Sequence, residues 1–85
     1  MVNNKNIDED IAKVIESVME ISLQKLDKKQ KLNAIPEWDS FNNLMLISRF
    51  QEEFDIEFTA LDIEKTQTIQ QIFDLIKTKL SKKSS

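Results

Sequence analysis

The chain has no glycine, no cysteine and no histidine, and only one proline, Pro36, in 85 residues. Each absence removes a class of function. Phosphate-cradling loops and dinucleotide-binding turns both need glycines where backbone meets phosphate, so neither can be built here. Without Cys and His there is no zinc cluster, no His-based metal centre and none of the usual nucleophile–base pairs. Disulfides are excluded too, which fits a cytosolic protein. Any thiol chemistry would have to be imported on a prosthetic group. No hydrophobic run approaches the roughly 18 apolar residues of a membrane span. The polar segment from Met1 to Asn6 is followed at once by Asp8, Glu9 and Asp10, which leaves no room for an apolar leader core. A cytoplasmic protein without stable membrane insertion is expected.

What is present is one small domain. A chain of this length buries only about 60–65% of the surface it exposes when unfolded. That suffices for a thin core between a few helices but not for a deep catalytic cleft, so an enzyme is not expected. The net charge of −3 hides an asymmetry. Residues 1–36 hold six acids and six bases, residues 37–64 hold eight acids against Arg49 alone, and residues 65–85 hold five lysines and one acid. The acidic middle block should attract basic partners and repel nucleic acid; it also reads as an ordinary solvated face.

With so few helix breakers, the apolar periodicity reads as helix throughout. Ile7, Ile11, Val14, Ile15, Val18, Ile21 and Leu26 predict a first helix over residues 7–26, with Asn6 and Glu9 as its capping box. Residues 27–38 read as a long polar loop, because Pro36 disfavours helix at Ile35. That length predicts a non-adjacent crossing between the helices on either side. A second helix over residues 40–54 follows, capped by Asp39, with Leu44, Ile47, Phe50 and Phe54 on its core face and Leu46 at the edge. Thr59 caps a short third helix to Ile63. Thr68 and Gln71 form a capping box for a fourth over residues 69–80, whose stripe is Ile69, Ile72, Phe73, Ile76 and Leu80. The fold class is all-α: a four-helix bundle with three long helices, a short third one, and a long loop between helices one and two. The domain spans residues 6–80, between a flexible segment 1–5 and a disordered tail 81–85.

The candidate site is Ile35-Pro36-Glu37-Trp38-Asp39-Ser40-Phe41. It puts Ser40, just after an acid, at the start of a helix and the end of a long loop. A helix N-terminus presents unpaired N–H groups and partial positive charge, which favour a phosphate. The same Asp-Ser pair is also an ordinary helix-start signal. Phe41 and Met45 fall off the core face, where they are open either to partner contact or to packing beneath the 27–38 loop. Trp38 reads as an anchor for that loop. Glu52, Glu53, Asp55 and Glu57 could steer a basic partner or hold a divalent cation weakly, but no calcium-loop pattern supports a dedicated metal site.

The segment around Asp39-Ser40 resembles the attachment motif of acyl carrier proteins, whose Asp-Ser-Leu serine bears 4′-phosphopantetheine. The likeness covers roughly residues 7–80. Besides Trp38-Asp39-Ser40, it rests on Glu52-Glu53-Phe54, Ile56-Glu57-Phe58 and Thr68-Ile69. It implies a carrier-protein bundle, a covalent 4′-phosphopantetheine on Ser40 taken from coenzyme A, and Asp39 assisting the metal-bound coenzyme during transfer. The implied partners are a phosphopantetheinyl transferase and acyl-activating, condensing or acyltransferase enzymes. These would be met through Phe41, Leu44, Met45, Ser48 and Glu52 on a monomeric carrier. In resembling carriers the space corresponding to Leu46, Ile47, Phe54, Ile56, Phe58, Ile63 and Ile72 admits the acyl chain.

The departures are Glu-Trp-Asp-Ser-Phe in place of Gly-Ala-Asp-Ser-Leu, and Asn42, Asn43, Met45, Ser48 and Arg49 where fatty-acid carriers place acids. They point to a stand-alone carrier in a specialised lipid, polyketide or surface-polysaccharide pathway. Two other readings stay open: an aminoacyl or peptidyl carrier, and an unmodified helical interaction module.

Overall fold

Ile11, Val14, Ile15 and Met19 form the buried stripe of the first helix, α1 (Ile7–Met19), in a computed structural model that describes residues 7–84. Asp8, Glu9 and Asp10 crowd its first turn, where the helix dipole favours negative charge. The expected cap at Asn6 and the segment 1–5 lie outside the described residues.

α1 stops seven residues short of the expected end at Leu26. Extending its stripe by one more turn would bring position 22, a serine, onto the core face. The chain turns instead at Glu20, which adopts φ 56°. The Leu23 amide then donates to a Glu16 carboxylate oxygen at 2.8 Å, and Leu23 drops into the core at the start of a 3₁₀ turn (Leu23–Lys25).

The long segment before the second helix is more ordered than a polar loop. A 3₁₀ turn (Leu32–Ala34) is followed by buried Ile35 and Trp38. Lys31 forms an isolated antiparallel bridge with Thr68. The Leu32 amide donates to the Gln67 carbonyl at 2.8 Å, and the Gln70 amide to the Lys28 carbonyl at 2.9 Å. A helix-start amide that would otherwise lack a partner is thus satisfied by the loop. The Lys28 ammonium also sits 4.2 Å from the Phe73 ring centroid.

The second helix, α2 (Ser40–Phe54), has the expected bounds and ends at Asp55 in the left-handed conformation, φ 53°. The long loop does not keep α1 from α2: α1 packs directly on both α2 and the last helix. The third helix, α3 (Ala60–Lys65), starts from a full capping box between Thr59 and Asp62 and runs past the expected end at Ile63. The last helix, α4 (Ile69–Ser84), opens on the expected Thr68–Gln71 box, with bonds of 3.1 Å in both directions. It continues through residues 81–84, so the expected tail from Ser81 is helical. Nothing there stops it: residues 81–84 include no Gly or Pro, and Lys82 suits the negative end of the helix dipole.

The core is one cluster from α1, α2, α4 and the segments joining them, centred on Ile11, Ile15, Leu46, Phe50, Ile69, Phe73 and Ile76, to which α3 adds no buried residue. Each side chain of this size contributes about 1.5–3 kcal/mol on burial. Phe50 packs against Phe54 at 6.0 Å and Phe58 at 6.3 Å between ring centroids, which ties α2 to the segment leading into α3. The face of α2 is rotated from the expected one. Leu46 is 1% exposed and central, whereas Leu44 is 63% exposed and takes no part in the core. Residues 43, 46, 47 and 50 point inward, because that arc carries both buried side chains, Leu46 and Phe50.

Candidate functional site: Ser40 at the start of α2

Ser40 is the first residue of α2, and it is exposed. Three neighbours hold it in place. Asp39 is the cap: its Oδ1 accepts from the Asn42 amide at 2.8 Å, and its carbonyl accepts from the Asn43 amide at 2.9 Å. Asn42 Nδ2 donates back to the Glu37 carbonyl at 2.8 Å. The Trp38 indole N–H donates to Asn43 Oδ1 at 2.9 Å, while the ring itself is 7% exposed. The loop therefore enters the helix through bonds from two successive asparagines, with a buried aromatic beneath them. Trp38 anchors the loop as expected.

Asn42 and Asn43 were not recognised as structural from sequence. A signal for Asn43 existed: a buried indole N–H needs an acceptor, and Asn43 is a polar residue one turn into the following helix.

The arrangement suits a covalently attached phosphate. Asp39 already engages the Asn42 and Asn43 amides, which leaves the Ser40 and Phe41 amides at the open helix end, beside the Ser40 hydroxyl. Two N–H donors and the positive end of the dipole meet beside the Ser40 hydroxyl. Asp39 is exposed.

The expected partner residues lie along one exposed strip. Phe41 is 69% exposed, Leu44 63% and Met45 44%, and Ser48 and Glu52 are exposed one and two turns further on. Their spacing of three, four, seven and eleven residues from Phe41 puts them on one helix face. The alternative of Phe41 packing under the loop does not occur. Leu61 on α3 is also exposed, at 56%.

Behind this strip lies an apolar crevice lined by Leu32, Asn43, Leu46, Ile47, Phe50, Phe58, Ile63, Thr66 and Ile72, with a volume of about 30 Å³. Of the residues expected to form an acyl space, Leu46, Ile47, Phe58, Ile63 and Ile72 line it, and Phe54 and Ile56 do not. As it stands the crevice holds a water or two and no acyl chain. Among the described residues no cluster of acids could hold a metal ion, and no helix is long and apolar enough to cross a membrane.

One carboxyl is clearly perturbed. Asp62 is held below the ordinary carboxylate range, first by the Lys79 ammonium at 2.8 Å and then by the Thr59 amide, against the opposing effect of burial. It lies at the start of α3 and serves structure.

Comparison with known proteins gives a consistent result. The chain is 36% identical over 73 residues to an acyl carrier protein of Buchnera aphidicola subsp. Baizongia pistaciae, covering 86% of this chain and 94% of that one. It is 35% identical over 79 residues to the acyl carrier protein of Buchnera aphidicola subsp. Acyrthosiphon pisum, covering 93% and 99%. Among solved structures, it is similar to a holo acyl carrier protein from Geobacter metallireducens, with TM-score 0.78, 22% identity and coverage of 92% and 90%. An acyl carrier protein from Thermotoga maritima aligns with TM-score 0.70, 20% identity and coverage of 92% and 91%. No family model matches the chain.

Proposed function

The chain belongs to the acyl carrier protein family, and from that premise we propose that Ser40 Oγ is its attachment point for 4′-phosphopantetheine. Members of this family are carriers and not catalysts. The observation that supports this reading is the exposed Ser40 hydroxyl on the first residue of a helix whose entry is held by Asp39, Asn42 and Asn43. In the transfer, Ser40 Oγ loses its proton and forms a bond to the β-phosphorus of coenzyme A. The bond from that phosphorus to the bridging oxygen breaks, and adenosine 3′,5′-bisphosphate leaves. The arm, when attached, supplies a terminal thiol that can hold an acyl group as a thioester.

This chain's residues do the rest. The Ser40 and Phe41 amides would face the phosphodiester, and Asp39, which caps the helix, would offer a carboxylate oxygen to the metal-bound coenzyme. Trp38 and Asn43 keep the attachment point in one orientation. Phe41, Leu44, Met45, Ser48 and Glu52 form the face that successive enzymes meet. Because residues 40–51 carry no acid, we assign the protein to a specialised pathway rather than to general fatty-acid synthesis. The same feature favours an aminoacyl or peptidyl cargo as the second reading.

The test is intact mass after incubation with coenzyme A, magnesium and a broad-specificity phosphopantetheinyl transferase. Wild type is expected to gain one phosphopantetheine unit and Ser40→Ala none. No gain in folded wild type across several transferases would leave a helical interaction module. Which activating enzyme then loads the arm, acyl or aminoacyl, decides the cargo class.

A further inference from the structure

Two cavities meet between the loop before α2 and the link from α3 to α4, and they differ in character. The apolar crevice reaches α2 at Asn43, one turn beyond Ser40, and has about 30 Å³. An open polar cleft of about 280 Å³ is lined by Lys31, Leu32, Asn33, Thr66 and Gln67. Leu32 and Thr66 line both, so these two half-buried side chains stand between them. The walls of the cleft are tied together by the Lys31–Thr68 bridge and by the 2.8 Å bond from the Leu32 amide to the Gln67 carbonyl. Its backbone shape is therefore set before anything binds, which lowers the cost of binding. The groups it offers are the Lys31 ammonium, the carboxamides of Asn33 and Gln67 and the Thr66 hydroxyl. Among the described residues no carboxylate lines it, and Lys31 makes no ion pair. Residues 26–36 carry Lys28, Lys29 and Lys31 against Asp27 alone, so the loop forming one wall is cationic.

Resting on the carrier reading, we infer that this cleft is a subsite for the far end of the cargo, and that the end it takes is a carboxylate. A saturated chain finds little room in the crevice, while the larger space beyond Leu32 and Thr66 is polar and cationic. A carboxylate there accepts from the Lys31 ammonium and from a carboxamide N–H of Asn33 or Gln67. An exposed lysine holds a free anion only weakly. A cargo on the Ser40 arm is tethered, so its effective concentration at the cleft is on the order of millimolar, and a weak contact is then occupied. The cargo class is a dicarboxylic acid, held through one carboxyl as the thioester and through the other in the cleft. Lys31 is the residue that distinguishes it from a saturated acyl group of the same length.

The experiment loads the full chain from adipoyl-coenzyme A or from hexanoyl-coenzyme A, using a broad-specificity phosphopantetheinyl transferase and magnesium, with loading checked by intact mass. The two cargoes have equal length and differ only in the terminal carboxylate. Amide NMR spectra and urea unfolding are recorded for each. The adipoyl form is expected to shift the amide signals of Leu32, Asn33, Thr66 and Gln67 relative to the hexanoyl form, and to raise the urea midpoint by about 0.3 M. Lys31→Met is expected to remove both differences and Lys31→Arg to keep them. Identical spectra and midpoints for the two cargoes, or differences that survive Lys31→Met, overturn the inference, while the gain in mass upholds the carrier reading. Movement of the same signals when free adipate is added to the unloaded chain at the protein's own concentration would make the cleft a site for free carboxylates, and overturns the assignment to cargo. Absence of any mass gain overturns both readings.

Discussion

At its first turn α2 is held by the capping Asp39 carboxylate together with uncharged side-chain bonds, and shows apolar side chains to solvent; at its last turn, and across the link to α3 and α4, ion pairs take over. The Ser40 end uses the indole of Trp38 and the amides of Asn42 and Asn43. The far end uses Arg49 with Glu53, a left-handed Asp55, and Asp62 shared between Thr59 and Lys79. Amide and indole bonds fix geometry without setting up a field. The position of Ser40 is thereby fixed by short-range bonds, with Glu37 and Asp39 as the exposed acids beside it. The charged end is equally well bonded, but its strength depends on pH and salt.

Two phenylalanines on this one helix give the largest contrast. Phe50 is 1% exposed and Phe41 is 69% exposed. Phe50→Ala should cost about 3–5 kcal/mol of stability, from lost transfer energy and the cavity left behind. That is a large part of what a domain of this size holds. Phe41→Ala should change stability by no more than about 0.5 kcal/mol. Urea unfolding followed by circular dichroism measures both. A loss above about 1.5 kcal/mol for Phe41→Ala would mean that its ring packs on the loop after all, and would remove the apolar strip from the comparison.

The Ser40 end is next probed at Asn43. Asn43→Leu keeps the volume but leaves the Trp38 indole N–H buried without an acceptor, at an expected cost of about 1–3 kcal/mol. The sole tryptophan reports the change directly by fluorescence. Combining it with Trp38→Phe should give less than the sum of the two single effects, since both remove one bond. Strict additivity would show that the bond contributes nothing and that the platform rests on Asp39 and Asn42 alone.

These particular residues also show what was legible in the sequence. The bounds of α2, the Asp39 cap, the Thr59 and Thr68 caps and the anchoring role of Trp38 all follow from local signals: a side-chain acceptor before an apolar run, or a large ring in a polar loop. Helix ends without such signals were misplaced. α1 ends at Met19 because a further turn would bury Ser22, and no Gly marks the stop. Helix α4 passes Leu80 because nothing halts it. Residues 44, 47, 50 and 54 have helical spacing, which predicts Leu44 on the core face, yet 43, 46, 47 and 50 have it as well. Spacing alone cannot choose between faces about one residue apart. The position of Ser40 was readable, but the two asparagines that hold it were not, since their partners, an indole and a carbonyl, become neighbours only once the loop is folded.

The backbone gives a smaller effect. In a chain without glycine, α1 ends on Glu20 at φ 56° and α2 on Asp55 at φ 53°. A left-handed residue with a Cβ is strained by about 1–2 kcal/mol, less for Asp than for Glu. Glu20→Gly relieves that strain but adds freedom to the unfolded chain, and should raise stability by about 0.5–1 kcal/mol net. An unchanged or lowered urea midpoint would indicate that Glu20 contributes something its backbone angle does not show.

The smallest effect tests the charged end itself. Asp62 is held below the ordinary range chiefly by Lys79, so the native state binds its proton less readily than the unfolded chain does. Its contribution is therefore complete above the unfolded value, about 3.9, and is lost as pH falls through the lower native one. Both side chains keep contact with water, at 23% and 22% exposure, so the ion pair is worth less than about 1 kcal/mol. Asp62→Asn keeps an acceptor for the Thr59 amide while removing the charge. The stability gap between wild type and Asp62→Asn should be largest near neutral pH, shrink as the pH drops below about 4, and narrow in molar salt. The Trp38–Asn43 pair, tested in the same way, should show neither dependence. A gap at Asp62 that ignores pH would make its role purely that of a cap, like that of Asp39 at the start of α2.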